Sequence, residues 1–186
     1  MENKRIYIVL TKTNTLLSTL IGIIKKDEYT HASISLNKSL STMYSFGRKY
    51  TYNPFVGRFV EENLNEGVFG LQKRLNGLVM ELEVSTEQYD EIRCLLNEFI
   101  ENSTAYKYNY LGLINSLLNI ESCSRDKFLC SEFVYYILSE CGTANLYKPR
   151  NLVTPQDLLK VNGRVIFKGN LKNETEILPT LKYVEI

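Results

Sequence analysis

The stretch Tyr29-Thr30-His31-Ala32-Ser33-Ile34-Ser35-Leu36 alternates polar and apolar side chains from His31 to Leu36. Successive side chains of a strand point to opposite faces, so Ala32, Ile34 and Leu36 share one face and His31, Ser33 and Ser35 the other. A segment of this kind requires a sheet with one face against a core. It also carries the chain's single histidine. The imidazole is thereby directed to the polar face, toward a cleft or solvent.

The remaining elements follow from periodicity and end signals. Ile6 to Leu10 is continuous and rich in β-branched residues, which predicts a buried first strand. Thr13 or Asn14 is placed to cap a helix running to about Lys26. Asn37-Lys38-Ser39 reads as a turn, and the chain returns through Thr42 to Phe46. With Tyr44 and Phe46 in the core, Ser45 falls on the face of His31 as a cross-strand neighbour. From Gly47 to about Gly77 the pattern is irregular, with aromatics (Tyr50, Tyr52, Phe55, Phe59, Phe69) and arginines (Arg48, Arg58, Arg74) broken by Asn53-Pro54. Its length exceeds that of a passive connector, so residues 47–77 read as a lid or substrate wall, or else as an excursion packed on the surface.

Leu78 to Val84 is another strand, and Ser85-Thr86-Glu87-Gln88 is a capping-box pattern opening a helix to about Asn102. Tyr106 to Tyr110 leads into a short helix near Leu111 to Leu118. A further helix spans about Cys130 to Glu140, with Phe133, Val134, Ile137, Leu138 and Cys141 as its apolar stripe and Gly142 as its stop. Thr154-Pro155-Gln156-Asp157 starts a short helix with proline at its first position. Val165 to Phe167 and Tyr183 to Ile186 read as late strands. The length suits one domain, or one domain with a sizeable insertion.

Composition narrows the function. The 186 residues include 44% hydrophobic ones, enough for a core. The 22 basic and 21 acidic residues nearly cancel, so no net field favours nucleic acid or an anionic membrane. One histidine cannot make a multi-histidine metal site, and no phosphate-cradling glycine loop follows a strand; no cofactor is expected. The four cysteines, Cys94, Cys123, Cys130 and Cys141, match no Cys-x-x-Cys motif. Cys94 and Cys141 read as small buried apolar residues of helices. The N-terminal apolar run lacks the length and cleavage site of a signal peptide, and Leu16 to Ile24 is too short to span a bilayer. The expected location is cytoplasmic, without stable membrane insertion.

Cys130 opens its helix, where unpaired N–H groups and a partial positive charge favour an anion. A thiol is nucleophilic as the thiolate, and a neighbouring imidazolium favours that form. The same N–H groups suit the oxyanion of a tetrahedral intermediate. A strand-borne imidazole and a helix-start thiol are the two parts of a base and a thiol nucleophile, which makes the chain a candidate cysteine hydrolase; the alternatives are a buried, inert cysteine on the apolar stripe and a structural histidine. A third group should orient the imidazole; Ser45 fits by strand parity, with Ser33 and Ser35 as competitors on the same face. Glu132, two residues past Cys130, is expected to point away from the thiol and to answer the helix dipole. Tyr108 and Tyr110 are placed to offer hydroxyls to a substrate, with Ser131 beside the nucleophile; as plain core aromatics the tyrosines fit equally.

Thr30-His31-Ala32-Ser33-Ile34-Ser35-Leu36, followed much later by Leu129-Cys130-Ser131-Glu132-Phe133-Val134, resembles the circularly permuted, YiiX-like branch of the NlpC-type papain-like cysteine peptidases. Met43 to Lys49 and Thr154 to Leu158 also look like segments of bacterial members. The resemblance covers about Ile6 to Phe167. It implies an α+β papain-like fold in a single domain over residues 1–186, an antiparallel barrel-like sheet packed on helices, with Cys130 as nucleophile and His31 as base. It implies cleavage of an amide bond in a peptide or N-acyl conjugate, with acyl transfer known among relatives. The family's third polar residue, often glutamate, asparagine, glutamine or histidine, lies on the strand after the histidine, near Ser45, where serine is a departure. The expected ligand is a small peptide, amino acid or acyl amide. Three activities stay open at this point: hydrolysis, acyl transfer through an acyl-cysteine, and binding without turnover.

Overall fold

The computed structural model describes residues 3–13, 27–48, 53 and 56–173. The expected helix from Asn14 to Lys26 and the strand from Tyr183 to Ile186 lie outside these residues, as do Tyr50, Tyr52 and Phe55. The described chain is mixed α+β. Its strands are β1 (Lys4–Thr11), β2 (His31–Ser35), β3 (Met43–Arg48), β4 (Gly57–Glu62), β5 (Asn76–Val84), β6 (Lys107–Tyr108), β7 (Lys127–Phe128) and β8 (Arg164–Asn170). Its helices are α1 (Gly67–Gly70), α2 (Thr86–Glu101), α3 (Tyr110–Leu117) and α4 (Cys130–Glu140), with 3₁₀ turns at Arg150–Leu152 and Asp157–Lys160.

The strands form one sheet in the order β7-β6-β4-β3-β2-β1-β5-β8. Every pair is antiparallel except β6 with β7. The order runs open from β7 to β8 and does not close on itself as the expected barrel-like sheet would. β1 lies near the middle, paired with β2 (Tyr7↔Ser35 to Thr11↔His31) and with β5 (Lys4↔Val84 to Thr11↔Gly77). Its unbroken apolar run is what a strand covered on both faces needs. Ile6, Ile8 and Leu10 join the main core with Ala32 and Ile34, whereas Tyr7 and Val9 join a smaller cluster with Leu40, Met43, Phe69 and Val79. This second cluster explains why Ser33 and Ser35 are fully buried on the face expected to be open.

Local end signals act as read. Ser85 Oγ accepts from Gln88 N at 3.2 Å and Ser85 N donates to Gln88 Oε1 at 3.0 Å, closing the capping box of α2. Gly142 follows α4 with φ +63°, a conformation glycine takes without a Cβ clash. Thr154 and Asp157 cap each other (Thr154 N to Asp157 Oδ2 3.0 Å, Asp157 N to Thr154 Oγ1 3.3 Å), but a 3₁₀ turn follows in place of an α-helix.

Two expectations are corrected. Cys94 is exposed, not buried. α2 buries Ile92, Leu96 and Phe99, and a residue two past Ile92 lies about 200° round the helix from it. Within residues 47–77, read as irregular, Gly57–Glu62 form a regular strand, β4, paired along its whole length with β3, from Met43↔Glu62 to Arg48↔Gly57.

An aromatic cluster joins sheet to helices. Phe133 of α4 meets Phe46 of β3, Phe59 of β4 and Phe99 of α2 at ring-centroid distances of 5.3, 5.6 and 5.0 Å. Such pairs contribute roughly 0.5–1.5 kcal/mol each beyond burial alone. They hold the first turn of α4 against the strands that follow His31.

Candidate active site

His31 begins β2 and Cys130 begins α4, and the fold brings them together, close enough for Cys130 to raise the His31 pKa. The ring's Nε2 lies 2.9 and 3.0 Å from the two carboxylate oxygens of Glu62. A carboxylate only accepts, so Nε2 carries the hydrogen and donates it. Nδ1 is then the nitrogen left for the thiol. Both partners of the ion pair are mostly sheltered, with side chains 12% and 14% exposed.

Glu62 holds the place that sequence parity gave to Ser45. The Ser45 hydroxyl is fully buried and donates to the backbone oxygen of Ala32 at 2.6 Å, so it is not the orienting group. Glu62 ends β4, which is separated from β2 by β3. Its side chain crosses β3 over Gly47: a Cβ built there would lie 3.4 Å from Glu62 Oε1 and 3.6 Å from His31 Cε1. A single Cβ would fit there at ordinary contact, but a larger side chain would enter the space between the imidazole and the carboxylate. Ser33, fully buried, donates to Glu62 Oε2 at 2.5 Å, and Ser35 is turned to the backbone oxygens of Asn37 and Thr42. The edge of Phe69, on α1, covers the imidazole at 5.8 Å between centroids.

Burial works against the imidazolium and is the largest single influence on it. The Glu62 charge, with the neighbouring Cys130, nevertheless holds the His31 pKa well above its ordinary value. Burial acts on Tyr108 in the opposite sense: it is the first cause, with the neighbouring Cys130 next, of a pKa raised well above the ordinary value. Tyr108 lines the same cleft as Cys130. Tyr110 packs on Tyr108 with centroids 4.9 Å apart and is half-exposed. Ser131 borders the same cleft, but its hydroxyl donates to Val153 O at 2.6 Å, so its side chain is structural.

The start of α4 is built to present the thiol. Leu129 is extended (φ −84°, ψ 164°), and the first helical bond runs from Phe133 N to Leu129 O at 2.9 Å. The N–H groups of Cys130, Ser131 and Glu132 therefore lack partners within the helix. Glu132 does more than answer a dipole. It is fully buried and accepts from Leu129 N (3.1 Å) and Asn109 Nδ2 (3.3 Å), and Arg150 Nε donates to it at 3.3 Å. The Arg150 guanidinium in turn stacks on Phe128 and Tyr136. Burial raises the Glu132 pKa, opposed by these bonds and the Arg150 charge.

A cleft beside Cys130 is walled by Tyr108, Leu113, Leu117, Leu129, Val153 and Pro155. Leu113 and Leu117 form one edge of α3. At 100° per residue the apolar arc continues from them through Tyr110, Ile114 and Leu111 into solvent. Leu111 and Ile114 are 68% and 54% exposed. A second, more polar cleft opens on the carboxylate side, bordered by Arg48, Glu61, Glu62, Glu66 and Phe69. Among the described residues, no cluster of three or more His, Cys, Asp or Glu is arranged to hold a metal ion, and no helix is long and apolar enough to cross a membrane.

Comparison with protein-family models gives no match, and comparison with curated proteins gives none of significance. The residues themselves therefore carry the functional reading.

Proposed function

We propose that this chain is a cysteine-dependent amide hydrolase of papain-like design, acting through an acyl-enzyme. The observation that carries the reading is the array Cys130–His31–Glu62: a helix-start thiol beside an imidazole whose far nitrogen is held by a carboxylate at 2.9 and 3.0 Å. In this reading Nδ1 of His31 takes the thiol proton as Sγ attacks the carbonyl carbon. The free N–H groups at the start of α4, with the Tyr108 hydroxyl, face the oxyanion that develops. His31 then returns the proton through Nδ1 to the leaving amine, and the C–N bond breaks to leave a thioester on Cys130. Water, deprotonated by the same nitrogen, attacks that thioester and releases the acid. Glu62 keeps its charge throughout and holds the ring in one orientation.

The apolar walls beside Cys130, and their continuation along α3, favour a substrate with an apolar acyl group over a purely polar peptide. An apolar chain seated there would leave water on roughly 25 cal/mol per Å².

The test is incubation with a series of N-acyl amino-acid amides of increasing chain length, with intact-mass detection of the acyl-enzyme. The expected result is a mass increment on Cys130 and release of amine, both lost in Cys130→Ala and His31→Ala. Turnover that survives either substitution would sink the assignment.

A further inference from the structure

Three serines lie on the His31 face of β2 and β3, and they differ in what they do. Ser35 and Ser45 give their hydroxyl hydrogens to backbone oxygens, whereas Ser33 gives its to Glu62 Oε2 at 2.5 Å. Ser33 and His31 are two residues apart on one strand, so they meet the carboxylate from the same side. Glu62 thus receives two donors from β2, a ring nitrogen and a hydroxyl.

We infer that Ser33 is a positioning residue that acts through Glu62, fixing the carboxylate beneath the imidazole and keeping the Nε2 proton on the ring. The inference rests on the proposed function above. The geometry supplies two reasons. Nε2 has one hydrogen and two nearly equidistant acceptors, at 2.9 and 3.0 Å. A contact so balanced leaves the carboxylate free to rock between them, and a hydroxyl bonded to one oxygen removes that freedom. In addition, the Ser33 hydrogen takes one lone pair of Oε2 at 2.5 Å, so the carboxylate is held with its remaining lone pairs turned to the ring. Glu62 then accepts from both donors, and Nε2 keeps its hydrogen. That fixes the tautomer: Nδ1 is left basic toward Cys130, which is the nitrogen the thiol proton must reach. With the proton moved to Glu62, the ring would lose the hydrogen bond that orients it.

The experiment is iodoacetamide labelling of Cys130 at about pH 6, read on the Cys130 peptide by mass spectrometry because Cys94 and Cys123 are exposed and would label too. It needs no substrate. The variants are Ser33→Ala, Ser33→Thr, Glu62→Gln and the double variant Ser33→Ala/Glu62→Gln, with His31→Ala as reference. The expected results are a loss of about tenfold in Ser33→Ala, the effect of one hydrogen bond to a charged group, and recovery in Ser33→Thr. In the Glu62→Gln background, removing the hydroxyl should cost nothing further, since its action runs through the carboxylate. Unchanged labelling in Ser33→Ala, or an equal loss in the presence and absence of Glu62, would overturn the inference alone. Wild-type labelling that is indifferent to His31→Ala would overturn both this inference and the proposed function.

Discussion

Glu62→Gln is the most informative single change in this molecule. Glutamine keeps the chain length and one acceptor oxygen, so it fits the path over Gly47. It removes the charge that faces Nε2 at 2.9 and 3.0 Å. It also brings an NH₂ group against two donors, the His31 ring N–H and the Ser33 hydroxyl, so one of those contacts is lost. A hydrogen bond to a charged group contributes about 1.5–3 kcal/mol, and each 1.36 kcal/mol is a factor of ten in rate. Labelling of Cys130 at about pH 6 should therefore slow by roughly ten- to a hundredfold. The same change has a signature in stability. The His31 pKa is raised in the folded protein. Its contribution is thus fully present below the unfolded value of about 6.5 and is lost as pH rises through the folded value. Urea unfolding of wild type and Glu62→Gln across a pH series should show the largest deficit between about pH 5 and 6.5, narrowing as pH rises further. Labelling that changes by less than about twofold, or a deficit that grows with pH, would refute the ion pair as the reason for the site's arrangement.

Two further outcomes test the scaffold. Glu132→Ala leaves the Arg150 guanidinium, the Leu129 N–H and the Asn109 amide without their shared acceptor; a loss of about 3–5 kcal/mol is expected, seen as a lower urea midpoint with unchanged slope. Gly47→Ala should label like wild type, because its Cβ would sit at ordinary contact distances of 3.4 and 3.6 Å, whereas Gly47→Val adds branches that the Glu62 path has no room for, and Cys130 labelling should fall to the level of His31→Ala while the protein remains folded by circular dichroism.

The two poles of the site were readable from local pattern. Alternation around His31 and the apolar stripe after Cys130 each describe a single element, and both elements are found where the periodicity places them. The third member was not readable in this way. Glu62 lies in Gly57–Glu62, where Phe59 and Val60 are adjacent and no clean alternation marks a strand. Its position depends on pairing with β3 and on an empty space at Gly47, both set by tertiary structure. Ser45 was assigned by parity correctly as to its face, but parity does not tell whether a hydroxyl finds a backbone oxygen first, as this one does with Ala32. The same limit applies to Cys94, where helix formation was legible but the buried side of α2 was not resolved from its partners.

The register of β1 has a consequence for how the chain comes into being. Lys4 to Thr11 pair on one side with residues 77–84, and the strand of His31 leans on the other side of β1. Cys130 lies 99 residues after His31 in sequence, and β5 falls between them. Closing a loop of that span costs chain entropy and is slow. In the proposed site the thiol gains its partner only when α4 packs on β2, so a chain in which that contact has not formed carries Cys130 as an ordinary thiol.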